Sequence, residues 1–240
     1  MTTNLIVSND ALAAKQDYAE AVHDIETLET FVHAKVDEIT AIARNETRTP
    51  EWKQKQTTGV RDELRTRVQS DAESIRHRLQ RAETRAKTAL AGEQDDPQLE
   101  ARKTRAITRV SRLLDSGTHL IAAAEVFAQA GDLDALRTLR DEVPSYAAAS
   151  SAGKHLSPEE VTRNIEQLTM ALDRLAKPLL PEREQYAVDV RSALDKTGQW
   201  LDVVIEYGAL SSVGSPGAGT ARGRLDVAKD LLAGVSATLR

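Results

Sequence analysis

Apolar residues between Ser8 and Leu90 return in alternating steps of three and four, the spacing of two long amphipathic helices joined at Asn45–Pro50. In the first helix the seam is Tyr18, Val22, Ile25, Val32, Val36, Ile39 and Ala43, with Glu29 where an apolar residue is skipped. Spacing this regular specifies a heptad seam against another helix. Ser8 is placed to cap the helix, with Val7 and Leu12 at the positions of a hydrophobic staple. At 1.5 Å per residue, a helix over 9–45 runs roughly 55 Å and needs a long partner.

The partner follows in the chain. Thr49, Pro50 and Glu51 read as N-cap, first-turn proline and first-turn acid. The second seam is Val68, Ala72, Ile75, Leu79, Ala82, Ala86 and Ala89. Alanine lets backbones approach, but each side chain contributes far less than the ~1.5–3 kcal/mol of a buried leucine. A bare hairpin on this seam is marginal, so a third helix or a second chain must cover it.

Asp96 and Pro97 open a third helix, with a seam of Leu99, Ala106, Val110, Leu113, Gly117, Leu120, Ala124 and Phe127 that stops at Gly131. Gly117 within it marks a kink or a close crossing. Beyond Gly131 the elements shorten. Asp132 caps a helix through Leu133, Leu136 and Leu139 that ends before Pro144, and 144–156 is small and polar enough for a hinge, although its alanines also suit a helix. Ser157–Pro158–Glu159–Glu160 is a capping box, opening a helix through Val161, Ile165, Leu168, Leu172 and Leu175. Another helix runs from near Pro181 through Tyr186, Val190, Leu194, Trp200, Leu201, Val204 and Tyr207. A glycine- and serine-rich connector over 210–220 precedes a last helix with Leu225, Ala228, Leu231, Leu232 and Val235. The expectation is an all-α chain: an elongated antiparallel bundle of three long helices with coiled-coil seams over 1–143, a hinge at 144–156, and a smaller helical domain over 157–240.

Composition supports extended helices. Of 240 residues only 3% are aromatic and 29% are charged. No cysteine is present, which removes disulfides and thiolate chemistry. The first ten residues lack the basic region of a signal peptide, and no apolar run reaches 18 residues, so the expected place is the cytoplasm, or a particle assembled there, with no membrane partner.

The net charge of −5 conceals a pattern. Residues 1–43 carry two lysines against eight acids; residues 44–112 carry 17 Lys and Arg against 11 acids. Arg102, Arg105, Arg109 and Arg112 lie on one helical face, and Arg78, Arg81 and Arg85 form a shorter stripe. Such stripes suit phosphates, but no aromatic interleaves them for base stacking. The adjoining acidic and basic blocks instead favour pairing with acids of the first helix or of a protein partner.

No catalytic, cofactor or metal motif emerges. Glu20 and His23 have Glu-x-x-His spacing but face away from the seam, and Glu29–His33 and Glu73–His77 suit solvated helix pairs. The glycine-rich run Gly214–Thr220 lacks the lysine of a phosphate loop. The expected function is that of a non-enzymatic structural or assembly protein, a scaffold or minor component of a larger particle such as a virion, partnering itself or another protein. Its expected interaction residues are Val22, Ile25, Val32, Val36 and Ile39, with Arg102, Arg105, Arg109 and Arg112. A nucleic-acid-associated helical protein using the arginine stripes ranks second, and a helical-bundle enzyme with a scattered site third.

Overall fold

The computed structural model describes residues 3–91, 97–151 and 156–236, and all of its regular elements are helices. They are α1 (Thr3–Arg44), α2 (Pro50–Ala91), α3 (Pro97–Asp115), α4 (Leu120–Gln129), α5 (Leu133–Ser151), α6 (Pro158–Ala176), α7 (Glu182–Ser212) and α8 (Ala218–Ser236), with a 3-10 turn at Lys177–Leu179. No strand occurs among the described residues. The chain forms two compact units, neither of them a continuous stretch: one holds residues 1–11 and 87–188, the other 12–86 and 189–240. This is a different partition from the expected cut at 144–156. Helix α5 passes through Pro144 and continues to Ser151, while residues 152–155 of the expected hinge lie outside the described residues. An interior proline costs a helix roughly 3 kcal/mol. Val143 and Ala147, on either side of it, are buried.

In the unit holding 12–86 and 189–240, α1 and α2 run antiparallel. Lys35 meets Glu63, Arg78 meets Glu20, and Arg85 meets Asp17, so partners descend on one helix as they ascend on the other. Helix α7 runs alongside with α1: Tyr18 meets Thr197 and His33 stacks near Tyr207. Helix α8 folds back, placing Arg224 on Glu206 and Lys229 on Glu29. The alanine-rich face of α2 is thus covered by a helix that follows it by about a hundred residues, not by the next one.

Every expected α2 seam residue is buried, and Val60 and Leu64 extend the seam. On α1 the buried apolar positions of this unit are Ala14, Tyr18, Ala21, Ile25, Leu28 and Val32, with the acids Asp17 and Glu29 buried among them. One position of the expected seam therefore moves by one residue, Ala21 being buried in place of the half-buried Val22, and Leu28 is buried beside Glu29, which remains in the seam, because α2 and α7 cover α1 from two sides. At Gly208 the helices come closest. A Cβ added there would stand 2.9 Å from Val68 Cγ2 and 3.5 Å from Val32 Cγ2.

The unit holding 87–188 contains the second core. Val110, Leu120, Phe127, Leu136, Leu139 and Leu172 are buried at the meeting of α3, α4, α5 and α6. The expected third long helix is two helices here. Gly117 adopts φ +85, its N–H bonds Leu114 O at 2.9 Å, and α3 stops. A left-handed residue ends a helix rather than kinking it.

Several ends follow the sequence signals. Thr49 Oγ1 accepts from Trp52 N, and Asn45 Oδ1 accepts from Thr47 N in the turn between α1 and α2. The Ser157–Glu160 capping box is complete, and the Ser157 backbone N–H holds the Glu160 carboxyl below its usual range. Asp132 Oδ1 accepts from Ala135 N, capping α5. Ser8, by contrast, lies inside α1, which begins at Thr3, so it does not cap. The Asp96 cap falls on residues outside those described, as do the side chains of Leu99, Leu231, Leu232 and Val235.

Two glycines of α7 provide a test of the close crossing. Gly208→Ala is expected to destabilise the protein by about 1–3 kcal/mol through overpacking against Val68. Gly198, with nothing within 4 Å of an added Cβ, is expected to gain roughly 0.5–1 kcal/mol as alanine. Urea denaturation of both variants measures the difference, and equal effects would refute the crossing.

Candidate interaction surface

The five apolar candidates divide along α1. Ile25 and Val32 are core, Val22 is half-buried beside them, and Val36 and Ile39 are half-buried beyond the last fully buried residue of the helix. The reason lies in the length of α7. Its final turns lie against Val32, Val68 and Arg61, and Gly214 then reverses the chain. The hairpin continues past that point as two helices. Over 33–44 of α1 and 50–59 of α2 no residue is fully buried, yet Val36, Ile39 and Ile42 maintain the apolar spacing. The tip is secured locally: Lys53 Nζ donates to Ala43 O at 3.0 Å, and the Arg48 guanidinium sits 5.1 Å from the Trp52 ring centre. Lys35 bridges Glu63 at 2.7 Å and Glu38 at 3.0 Å, which hold its ammonium above the usual lysine range.

The arginine stripes also divide. Arg78 contacts Glu20 and Asp24, and Arg81 and Arg85 both reach Asp17, whose carboxylate is nearly covered. These three meet acids of the first helix, as the opposed charge blocks suggest. Arg102, Arg105, Arg109 and Arg112 are exposed on α3. Arg109 lies 2.8 Å from Asp132, an acid beyond both charge blocks rather than one of the first helix, and so braces the N-cap of α5.

Three buried polar contacts escape sequence reasoning. Arg140 Nε pairs with the buried Asp173 at 3.0 Å while its Nη1 donates to Leu90 O at 2.7 Å, satisfying a carbonyl in the last turn of α2. Tyr18 O–H donates to Thr197 Oγ1 at 2.9 Å, and that hydroxyl donates onward to Ala193 O. Glu29, 6% exposed, accepts from Lys229 at 3.1 Å and lies 3.7 Å from His33; its Oε2 is buried without a partner. Its place in an apolar seam was the one signal visible in the chain. The expected solvated Glu29–His33 pair is therefore corrected: the carboxylate is core. Glu73 and His77 are exposed, as are Glu20 and His23.

Among the described residues no group of three or more His, Cys, Asp or Glu is placed to hold a metal ion. The run after Gly214 is an ordered helix end rather than a long connector: Gly214 at φ +69 and the Ser215 N–H to Leu210 O bond close α7, and Gly219 and Thr220 belong to α8. No described helix is long and apolar enough to cross a membrane. No family model, curated protein or solved structure matches the chain.

The Arg140–Asp173 pair predicts a non-additive pattern. Arg140→Met takes the guanidinium away from a buried carboxylate and is expected to destabilise the protein by about 1–5 kcal/mol, whereas Arg140→Met with Asp173→Leu recovers most of that loss. Thermal denaturation of the two variants tests it, and additive losses would refute it. Tyr18 predicts a pH dependence. Burial pushes its phenol above the usual value of 10.0, with the Thr197 hydrogen bond pulling the other way. The unfolded phenol ionises first, so stability is full below about pH 10 and falls as pH rises beyond it. Burial shifts Tyr207 in the same direction. Tyr18→Phe is expected to cost about 0.5–1.5 kcal/mol at neutral pH and to flatten the alkaline decline in part, measured by denaturation at about pH 8 and pH 11.

Proposed function

We propose that the chain is a non-enzymatic helical protein whose role is protein–protein association, as a scaffold or component of a larger assembly. The observation that carries this reading is the tip of the α1–α2 hairpin. Its apolar spacing continues through Val36, Ile39 and Ile42 after α7 has ended, leaving them half-buried. Two helices alone bury little, and a stretch that maintains its seam without a covering helix is suited to receive one. On this reading the hairpin is a segment of antiparallel bundle with coiled-coil seams, completed at its tip by another copy or another protein.

The nucleic-acid alternative has less support. Arg78, Arg81 and Arg85 already face carboxylates, and Arg109 faces Asp132. Phosphates would have to displace these pairs.

Val36→Asp places a charge on the half-buried stripe while leaving the fully buried core intact. Sedimentation of the parent protein is expected to show association that rises with concentration and falls at least tenfold in the variant, with helical content retained. A parent that remains a monomer at every concentration would sink the self-association form of the proposal. Duplex DNA binding that weakens steeply with salt would support the alternative instead.

A further inference from the structure

Where α7 stops, α1 loses its cover on one side. Val32 lies beside Gly208, so Val213, five residues further along the parallel α7, stands level with residue 37, and it is 61% exposed. Lower down, that side of α1 carries Tyr18, Val32 and His33, which meet Thr197, Gly208 and Tyr207. Helical spacing continues it at the tip through Val36, Thr40 and Ala43. Val36 and Thr40 are half-buried and Ala43 is exposed, and side chains this small let another helix come close.

One edge of this side holds an acid and a base. Asp37 and Arg44 are both exposed and stand seven residues apart, which puts them on the same edge almost two turns from each other. The charge of Asp37 reaches the Tyr207 phenol, which places that edge towards α7. Neither Asp37 nor Arg44 takes part in an ion pair among the described residues.

An edge that reads acid then base meets its complement in the same edge laid antiparallel. With Asp37 opposite Arg44 of a second copy, Arg44 falls opposite that copy's Asp37. The same register sets Ile39 opposite Ile42 and Thr40 opposite Ala41, and over 36–45 it opposes no like charges. The tip is also close to neutral. Residues 33–59 carry Lys35, Arg44, Arg48, Lys53 and Lys55 against Asp37, Glu38, Glu46 and Glu51, so two copies do not repel and a strongly acidic or basic partner is not selected.

We infer that the tip of the α1–α2 hairpin takes the tip of a second copy, α1 antiparallel to α1, with Asp37 of each copy on Arg44 of the other. This rests on the association reading and names its partner. Two helices from each copy then close a four-helix bundle around Val36, Ile39 and Thr40. The contact is isologous, each copy giving and receiving the same surface, so pairing stops at two.

The test is sedimentation of the full-length protein over a range of concentrations. The parent is expected to reach twice the chain mass. Asp37→Arg sets two cations against each other and Arg44→Asp two acids, and each is expected to weaken pairing about tenfold or more. Asp37→Arg combined with Arg44→Asp is expected to return within about threefold of the parent, because the exchanged charges again meet across the two copies. They cannot meet within one chain, being about 10 Å apart along the helix. Both positions are exposed, so all three variants are expected to keep the helical content of the parent. A double variant that pairs no more tightly than the single ones overturns the inference.

Association that Val36→Asp abolishes, but that is indifferent to charge at 37 and 44, also overturns it while retaining the tip as an association surface for a different occupant. A parent at the chain mass at every concentration overturns self-pairing and leaves the tip to another protein. Association indifferent to Val36→Asp removes the tip reading, and this inference with it.

Discussion

An alanine in a helix seam permits a neighbouring backbone to approach but removes little apolar surface from water. A seam built on Ala72, Ala82 and Ala86 therefore depends on being covered from more than one side. Helix α1 covers one side with Tyr18, Ile25 and Val32, and α7 covers another. Gly208 is where this geometry is most exacting, since Val68 and Val32 occupy the space a side chain would need. Small residues on two helices thus set how closely three can pack, and the larger residues fill what remains.

The opposed charge blocks follow the same helices. Acids at 17, 20 and 24 meet arginines at 78, 81 and 85 because the chain reverses between them. The pairs at Glu20 and Asp24 are more open to solvent than that at the nearly covered Asp17; exposed pairs are individually worth ~0–1 kcal/mol, so their use is chiefly to favour one register and orientation of the hairpin. Two contacts are of another kind. Asp173 with Arg140, and Glu29 with Lys229, place carboxylates in covered positions, where losing the cation costs more than the pair contributes. Each specifies which helix belongs in which seat.

An association role suits this division between saturated and unsaturated surface. Within the α1, α2 and α7 packing the apolar spacing is consumed by the chain's own helices. At the hairpin tip it is not. Val36 and Ile39 were legible in the sequence as seam residues. That they outlast their covering helix was not, because this depends on where α7 stops, and α7 lies far along the chain.

The sequence by itself determined that the chain is helical and where most helices begin. Three/four spacing, Thr49–Pro50, Asp132 and the Ser157–Glu160 box are local signals, and hydrogen bonds within a few residues suffice to realise them. It also exposed the α2 seam from Val68 to Ala89, though not its extension to Val60 and Leu64, since an amphipathic helix has one face to bury. Only the tertiary structure decided which helices share that face. Gly117 stops a helix rather than bending it because its left-handed backbone, unlike its lack of a side chain, is a matter of conformation. The covering of α2 by α7, the burial of Ala21 and Leu28 on α1, and the meeting of Glu29 with Lys229 join residues far apart in the chain. Periodicity says that a face must be buried; it does not name the partner, and that choice rests on packing between distant segments.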